Sequence, residues 1–222
     1  PTSGRVHIDG EDVSAMDPVR LRRSIGYVLQ EGGLFPHRSI ADNIATVPRL
    51  EGATKQASRE RALELLELVG LDREMADRYP AQLSGGQRQR VGVARALANR
   101  ADILLMDEPF GALDPIVRAE LQRELKEIQR ALGTTILFVT HDVDEAFTLG
   151  DQVAVLSTGG RIEQVGTPTE LLSSPASPFV AEFVGASRAA RPVRVAGPGG
   201  LVVDDAGTPV GTLTTDEAGE RP

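Results

Sequence analysis

Residues 103–109 read ILLMDEP, four apolar residues followed at once by two carboxylates and a proline. A continuous apolar run without polar alternation is typical of a parallel strand buried on both faces. Residues 134–139 predict a second buried strand, and residues 25–29 predict another strand-like segment. Helical segments separate these strands, so the sequence predicts an α/β fold in which helices cover both faces of a parallel sheet.

The helical segments are marked by their spacing and by the residues at their ends. Within residues 57–69 the apolar side chains follow helical spacing, and Gly70 fits the position beyond the helix end. A second helix is predicted from Ser84 to about Asn99. Asp114-Pro115 supplies an N-cap and a first-turn proline for a third helix, which Gly133 ends.

Composition excludes several classes of protein. The 222 residues carry a formal net charge of −8, which argues against a nucleic-acid binder that relies on a broad basic field. No apolar run approaches the roughly 18 residues that span a bilayer. The absence of cysteine excludes disulfides and thiolate metal sites. Lysine occurs only as Lys55 and Lys126, and neither follows a glycine, so a G-x-x-x-x-G-K-[ST] loop does not occur in the sequence.

Polar side chains follow the predicted strands at the edge where α/β proteins bind ligands. Gln30, the pair Asp107-Glu108 and His141 all come directly after or close behind a strand. Each could be a solvated strand end when taken alone. Their combination indicates a binding or catalytic site at the carboxyl edge of the sheet.

A glycine pair opens the arginine-rich second helix. Ser84 can cap this helix, and Gly85 and Gly86 allow a ligand to approach the backbone closely. The backbone N–H groups and the helix dipole favour an anion there. The plainer alternative is an ordinary helix start softened by glycine.

These segments resemble the motifs of ABC ATPases in order and in spacing, from residue 1 to about residue 188. Residues 83–87 (LSGGQ) are similar to the signature motif, residues 103–109 to the Walker B strand, and residues 112–114 to the D-loop. His141 resembles the switch histidine and Gln30 the Q-loop glutamine. The resemblance implies a P-loop NTPase fold of the ABC ATPase type, with a parallel-sheet core and a helical signature subdomain, N-terminally incomplete because the phosphate-binding loop is missing.

The resemblance also implies catalytic roles and two small-molecule partners, ATP and Mg²⁺. Asp107 and Gln30 would hold the Mg²⁺, and Glu108 would polarise the attacking water as a general base. His141 would contact the γ-phosphate. The alternatives are an ion-paired Glu108 beside Asp107 and a purely structural histidine. Without its phosphate-binding loop, we expect the chain alone neither to bind ATP tightly nor to stay monodisperse.

In this family the signature motif serves the nucleotide of the opposite subunit. Ser84, Gly85, Gly86 and Gln87 would therefore bind that nucleotide across a head-to-tail dimer, with Asp114 at the dimer interface. Gln30 and residues 31–49 resemble the region that senses the transmembrane permease subunits, although a buried loop would have a similar composition. Such a subunit would lie at the cytoplasmic face of the cell membrane, linked indirectly to a solute-binding protein and without a nucleic-acid partner.

Further segments suggest the transported solute. Residues 27–30, 33–37, 43–44 and 47–48 resemble importers of quaternary-amine osmoprotectants such as glycine betaine, choline or carnitine.

Residues 1–185 would form the ATPase domain and residues 186–200 a linker. Residues 201–222 would be either a remnant resembling part of a CBS unit, with one hairpin, or a disordered tail.

Three interpretations of the whole chain remain open from the sequence. The first is a portion of an ATP-driven importer subunit, for quaternary amines or for another small solute. The second is a catalytically silent module that docks to a partner ATPase through its signature face. The third, a non-transport ABC ATPase acting in DNA repair or translation, is disfavoured because the motifs contain no long coiled-coil insertion and no basic patch.

Overall fold

The computed structural model describes residues 3–111, 113–185, 194–195, 201–203 and 209–212, with the side chains of residues 30, 31, 194, 201–203 and 209–212 outside that description. The chain divides into two compact units, Pro1–Asp142 and Val143–Pro222. The domain boundary expected at residue 185 stays a prediction. Most of the predicted linker, residues 186–200, lies outside the described residues.

The first unit contains the predicted parallel sheet. Strand β4 (Ile103–Asp107) lies between β3 (Ile25–Val28) and β5 (Thr135–Val139), and both pairings are parallel. The register aligns Tyr27, Leu105 and Leu137 on one rung. A separate short hairpin joins β1 (His7–Ile8) to β2 (Glu11–Asp12).

Within the described residues, the α-helices of the first unit are α1 (Pro18–Ser24), α2 (Ile40–Ile44), α3 (Thr46–Leu50), α4 (Lys55–Leu68), α5 (Gly85–Leu97) and α6 (Pro115–Leu132). Short 3₁₀ turns occupy Val13–Ala15, Gln30–Gly33, Arg73–Asp77 and Pro80–Gln82. The predicted helix ends are confirmed: Ser84 and Asp114 cap α5 and α6, and Gly133 ends α6 in the left-handed conformation with φ 66°.

A helical core forms where α2, α4 and α5 meet. The apolar stripe of α4 is buried as its spacing predicts, and its members pack beside the buried side chains of α2 and α5. Fully buried residues of this core include Ile40, Ile44, Ala62, Leu65, Leu66 and Val91.

The expectation that the strands are buried on both faces is wrong for the described residues. One face of the sheet packs on α5, and Gly26 permits this because a Cβ there would lie 2.5 Å from the Ala96 carbonyl oxygen. On the opposite face Tyr27, Leu137 and Val139 are 47%, 64% and 61% exposed. An apolar run indicates that a strand has apolar side chains on both faces. It does not specify which element packs against each face.

The second unit is a small α/β assembly with its own core. It comprises α7 (Val143–Leu149), the antiparallel pair β6 (Val153–Ser157) and β7 (Arg161–Gly166), α8 (Pro168–Ser173) and α9 (Pro178–Phe183). Val155, Leu171, Val180 and Val184 form its buried core.

The tail forms a three-stranded sheet of its own. Strand β9 (Leu201–Val203) pairs antiparallel with β10 (Pro209–Thr212) and with β8 (Arg194–Val195). Residues 204–208 and 213–222 lie outside the described residues, so both alternatives for residues 201–222 stay predictions.

Candidate functional site

A strained turn presents Glu108 at the carboxyl end of β4. Its backbone has a φ of 41°, in the left-handed region that costs a non-glycine residue about 1–3 kcal/mol. The Glu108 N–H donates to the carbonyl oxygen of Val139 at 3.0 Å, and the Glu108 carbonyl accepts from the N–H of Gly111 at 3.2 Å. The last residue of β5 therefore holds the turn in which the glutamate lies.

The same edge of the sheet brings Glu108 to His141. The Nδ1 atom of His141 and the Oε1 atom of Glu108 lie 3.1 Å apart, at hydrogen-bonding distance. The His141 side chain is 75% exposed and that of Glu108 is 34% exposed, so the pair is open to a ligand from solvent. Asp107, the residue before Glu108, is also exposed.

The pair Asp107-Glu108 is compatible with a magnesium site in which the protein supplies only one or two of the ligands. Mg²⁺ is usually held by one or two carboxylates, with water and phosphate oxygens completing its shell. Asp107 offers an exposed carboxylate for this, whereas the described residues contain no group of three or more His, Cys, Asp or Glu side chains that could cage an ion. The side chain of Gln30, the other predicted metal ligand, lies outside the described residues.

A reciprocal capping box orders the signature segment. The Ser84 hydroxyl accepts from the N–H of Gln87 at 3.2 Å, and the Gln87 Oε1 accepts from the N–H of Ser84 at 3.0 Å. This arrangement satisfies two backbone donors at the start of α5. It fixes the backbone of Gly85 and Gly86 between them.

The two signature glycines differ in what surrounds them. A Cβ on Gly86 would lie 2.7 Å from Cγ1 of Val117, so this glycine lets α5 pack closely on α6. A Cβ on Gly85 would meet nothing nearer than 3.8 Å. Gly85 is therefore free to face a ligand, and Gly86 has a packing role that sequence reasoning missed.

Arg118 links the D-loop segment to Asp142, the residue that follows His141, through hydrogen bonds. Asp114 caps α6 by accepting from the N–H groups of Ile116 at 3.2 Å and Val117 at 3.1 Å. Arg118 donates to the Leu113 carbonyl at 3.2 Å and to the carboxylate of Asp142 at 3.3 Å. Sequence reasoning missed Arg118, because its partners lie on two different loops. Ala112, the first D-loop residue, lies outside the described residues.

The turn Gln30–Gly33 is fixed against α5. Arg95 donates to the carbonyl oxygens of Gly33 at 2.7 Å and Gly32 at 2.9 Å, and burial lowers the pKa of its guanidinium. Gly32 has a φ of 77°, and a Cβ there would lie 2.6 Å from the Arg88 carbonyl oxygen. The turn that carries Gln30 therefore rests directly on the signature helix. Arg95 is a second residue that sequence reasoning missed.

The segment expected to sense a partner is divided between surface and core. Residues 35–38 are exposed, whereas Ile40 is fully buried in α2.

Among the described residues, none of the helices combines the length and the hydropathy needed to cross a bilayer.

A family model and the most similar curated proteins indicate the same family for this chain. A family model described as ABC transporter matches residues 1–111. The glycine betaine/carnitine/choline transport ATP-binding protein OpuCA of Bacillus subtilis is 56% identical over 188 residues, which are 85% of this chain and 49% of that protein. The spermidine/putrescine import ATP-binding protein PotA of Frankia alni is 48% identical over 214 residues, 94% of this chain and 45% of that protein.

A solved structure supports the fold. The dimeric post-hydrolysis structure of the ATP-binding cassette MJ0796, bound to ADP and Pi, is 34% identical with a TM-score of 0.65, over 75% of this chain and 74% of that one. The chain spans about half the length of the curated relatives it matches. From the carboxyl-edge pair, the capped signature segment and these matches, the chain belongs to the ABC transporter family and has the fold of its ATP-binding cassette.

Proposed function

We propose that this chain is part of the ATP-hydrolysing subunit of an importer for small solutes, of the quaternary-amine osmoprotectant class. The observation that carries the proposal is the pair Glu108–His141, 3.1 Å apart beside the exposed Asp107. A carboxylate and an imidazole at the carboxyl edge of a parallel sheet can together orient a water and a phosphoryl oxygen.

Each residue of the pair has a separate role in this proposal. Glu108 accepts a hydrogen bond from the attacking water and draws its proton as the water approaches the γ-phosphate. His141 donates to a γ-phosphate oxygen, where negative charge is concentrated. Asp107, with Gln30, would hold Mg²⁺, which would supply positive charge to neutralise the phosphate oxygens.

The signature segment acts on a second nucleotide. Ser84 and Gln87 fix the backbone at the start of α5, and Gly85 leaves room for a phosphate to approach it. In a head-to-tail dimer, Ser84, Gly85, Gly86 and Gln87 contact the nucleotide of the opposite subunit, and Asp114 lies at the interface. The dimeric form of the related cassette MJ0796 supports this arrangement.

The solute and the location are inferred from the relatives of this chain. The name of the Bacillus subtilis relative favours glycine betaine, carnitine or choline. Partners are permease subunits, which hold this chain at the cytoplasmic face of the cell membrane, and indirectly a solute-binding protein. A polyamine is the second candidate solute, because the spermidine/putrescine relative matches more of the chain.

The hydrolytic half of the proposal is tested by Glu108→Gln in the complete transporter reconstituted in proteoliposomes. We expect ATP turnover to fall by about 10²–10⁴, because the general base is lost. Glu127→Gln is the matched control: it makes the same charge change at an exposed position of α6. Equal turnover in the two variants would reject Glu108 as the base. Absence of turnover in the unaltered transporter would instead favour the silent docking module.

The solute half is tested by uptake into the same proteoliposomes. Labelled glycine betaine and choline should accumulate in an ATP-dependent manner, and spermidine should not. Accumulation of spermidine alone would reassign the solute class while leaving the hydrolytic proposal intact.

A further inference from the structure

A single arginine on α6 contacts the loops that follow β4 and β5. The Nη2 atom of Arg118 donates to the carbonyl oxygen of Leu113 at 3.2 Å, in the D-loop segment. Its Nη1 atom donates to Oδ2 of Asp142 at 3.3 Å, at the end of residues 140–142, here called the histidine turn. Because the guanidinium is planar and rigid, these two contacts set the spacing between the two loops.

The histidine turn is anchored at both ends. Before it, the Val139 carbonyl oxygen accepts from the N–H of Glu108 at 3.0 Å. At its end, Asp142 accepts the hydrogen bond from Arg118. His141 lies between these anchors, and its exposed ring is within hydrogen-bonding distance of Glu108. The position of the imidazole therefore depends on where Asp142 is held.

Stability alone does not account for an arginine at this position. The side chains of Arg118 and Asp142 are 30% and 36% exposed, and ion pairs exposed to this degree contribute little to the free energy of folding. The Nε atom of Arg118 is buried, and within the described residues it has no hydrogen-bond partner. Burying an unpaired donor costs free energy that an apolar side chain would avoid. What the arginine provides is the pair of contacts with the two loops.

The start of α6 does not require Arg118 either. Asp114 already caps this helix by accepting from the N–H groups of Ile116 and Val117. The contact with Asp142 joins the helix to a different loop and satisfies no backbone group of the helix. A role confined to the first turn of α6 therefore leaves this contact unexplained.

We propose that Arg118 is a positioning residue for hydrolysis: by holding Asp142 against the D-loop segment, it sets the position of His141 beside Glu108. This inference rests on the proposed function, since it takes His141 as the donor to the γ-phosphate. Arg118 acts through the histidine and has no contact with the reacting atoms. A displacement of about 1 Å in a positioned group can lower a rate by about 10²-fold, so a contact outside the site can control turnover.

The first measurement is the turnover of Arg118→Met in the complete transporter reconstituted in proteoliposomes. Methionine keeps an unbranched side chain and removes both donors to the loops. We expect kcat to fall by about ten- to hundredfold while KM for ATP stays within about twofold, because the change displaces a group that acts in the transition state. Arg123→Met, at an exposed position of α6, is the matched control and should leave kcat within about twofold.

A variant on the other side of the contact keeps the test independent of how well Arg118→Met folds. Asp142→Asn retains an oxygen acceptor and removes the charge that strengthens the contact with Arg118. We expect kcat to fall by about three- to tenfold, a smaller loss because one neutral hydrogen bond can remain. If Arg118→Met does not assemble with the other subunits, Asp142→Asn takes its place in every comparison.

A double-mutant cycle combines Arg118→Met with His141→Ala. If Arg118 acts through the histidine, its replacement changes kcat by less than about twofold once the imidazole is absent. A substitution that only lowers the fraction of folded subunit would reduce kcat by the same factor in both backgrounds. The cycle therefore separates positioning of the histidine from general destabilisation.

The outcomes distinguish the inference from the proposed function. A lowered kcat in Arg118→Met with no further loss in the His141→Ala background supports the positioning role. Equal kcat in Arg118→Met and Arg123→Met overturns it, and so does a full additional loss in the His141→Ala background. Equal turnover in His141→Ala and in the unaltered transporter removes the histidine from the proposed function, and this inference with it.

Discussion

The Nδ1 atom of His141 lies 3.1 Å from the Oε1 atom of Glu108, although 33 positions separate the two residues in the sequence. The pairing of β4 with β5 brings them together, because the register sets Asp107 opposite Val139 and each of the two residues follows its strand within two positions. The N–H of Glu108 donates to the Val139 carbonyl and extends this alignment by one residue.

The histidine should therefore matter to hydrolysis, because it lies in direct contact with Glu108, the proposed general base. We expect His141→Ala to lower ATP turnover of the complete transporter by about 10²-fold or more, comparable with the loss of one transition-state hydrogen-bond donor. His7→Ala, at an exposed residue of β1, is the matched control. Turnover that is equal in the two variants would show that His141 has only a structural role.

The signature glycines should respond differently to the same added methyl group. Gly86→Ala forces its Cβ against Cγ1 of Val117 at 2.7 Å, and a β-branched side chain has little freedom to move aside. We expect its free energy of unfolding to fall by about 1–3 kcal/mol. Gly85→Ala has open space and should stay within about 0.5 kcal/mol. Urea unfolding measures both, and a larger loss in Gly85→Ala would contradict the packing role of Gly86.

Replacement of Arg95 should loosen the turn Gln30–Gly33. Arg95→Met removes the donors to two carbonyl oxygens of a turn packed on α5, and unpaired buried groups cost about 1–3 kcal/mol of unfolding free energy. The same substitution at Arg123, an exposed residue of α6, should change stability by less than about 0.5 kcal/mol. Faster proteolysis near Gly33 in Arg95→Met alone would localise the effect. Equal rates of cleavage near Gly33 in the Arg95 and Arg123 variants would contradict the role of Arg95 in holding this turn.

The exposed face of the sheet should drive self-association of the chain in isolation. Leu137 and Val139 are more than half exposed on an edge strand of the described sheet. We expect Leu137→Lys to reduce concentration-dependent association, measured by sedimentation velocity. Ile116→Lys is the control, since Ile116 is 83% exposed on α6. It tests whether replacing any exposed apolar residue reduces the association. A monodisperse unaltered chain would refute the role of this face.

Acidification should weaken the start of α8. The N–H of Thr167, and then its hydroxyl, donate to Glu170 and hold the pKa of that carboxyl below its usual value. A lowered pKa in the folded state stabilises the fold at pH values above the ordinary glutamate pKa. This contribution is lost as the pH falls through the lowered pKa.

The two donors to Glu170 can be separated by mutation. Thr167→Ala removes the hydroxyl but keeps the backbone N–H, so the pKa of Glu170 should rise only part of the way toward its usual value. A carbon-13 NMR titration of Glu170 measures this shift. Full return to the ordinary value would mean that the backbone donor contributes nothing.

Features that depend on adjacent residues could be predicted from the sequence. Ser84 and Asp114 cap helices, and Gly133 ends one, because each acts on groups within four positions of itself. Parallel strands and the polar residues at their ends followed from apolar runs. The roles of Gln30 and of the signature motif in binding nucleotide stay predictions.

Features that depend on distant partners could not be predicted in this way. Arg95 reaches carbonyls 62 and 63 positions away, and Arg118 joins two loops through bonds that no local pattern encodes. The exposed sheet face was missed because apolar runs do not specify their covering layer.

The in-register alignment of β3, β4 and β5 limits where this chain tolerates changes in length. Deleting Ile103 would turn Leu104 and Met106 away from α5 and send the carboxylate of Asp107 into the apolar layer, because side chains alternate between the faces of a sheet. Insertions within the connecting loops carry no such penalty. Frame-preserving indels in a mutational library should therefore be depleted in the strands and enriched in the surface connections.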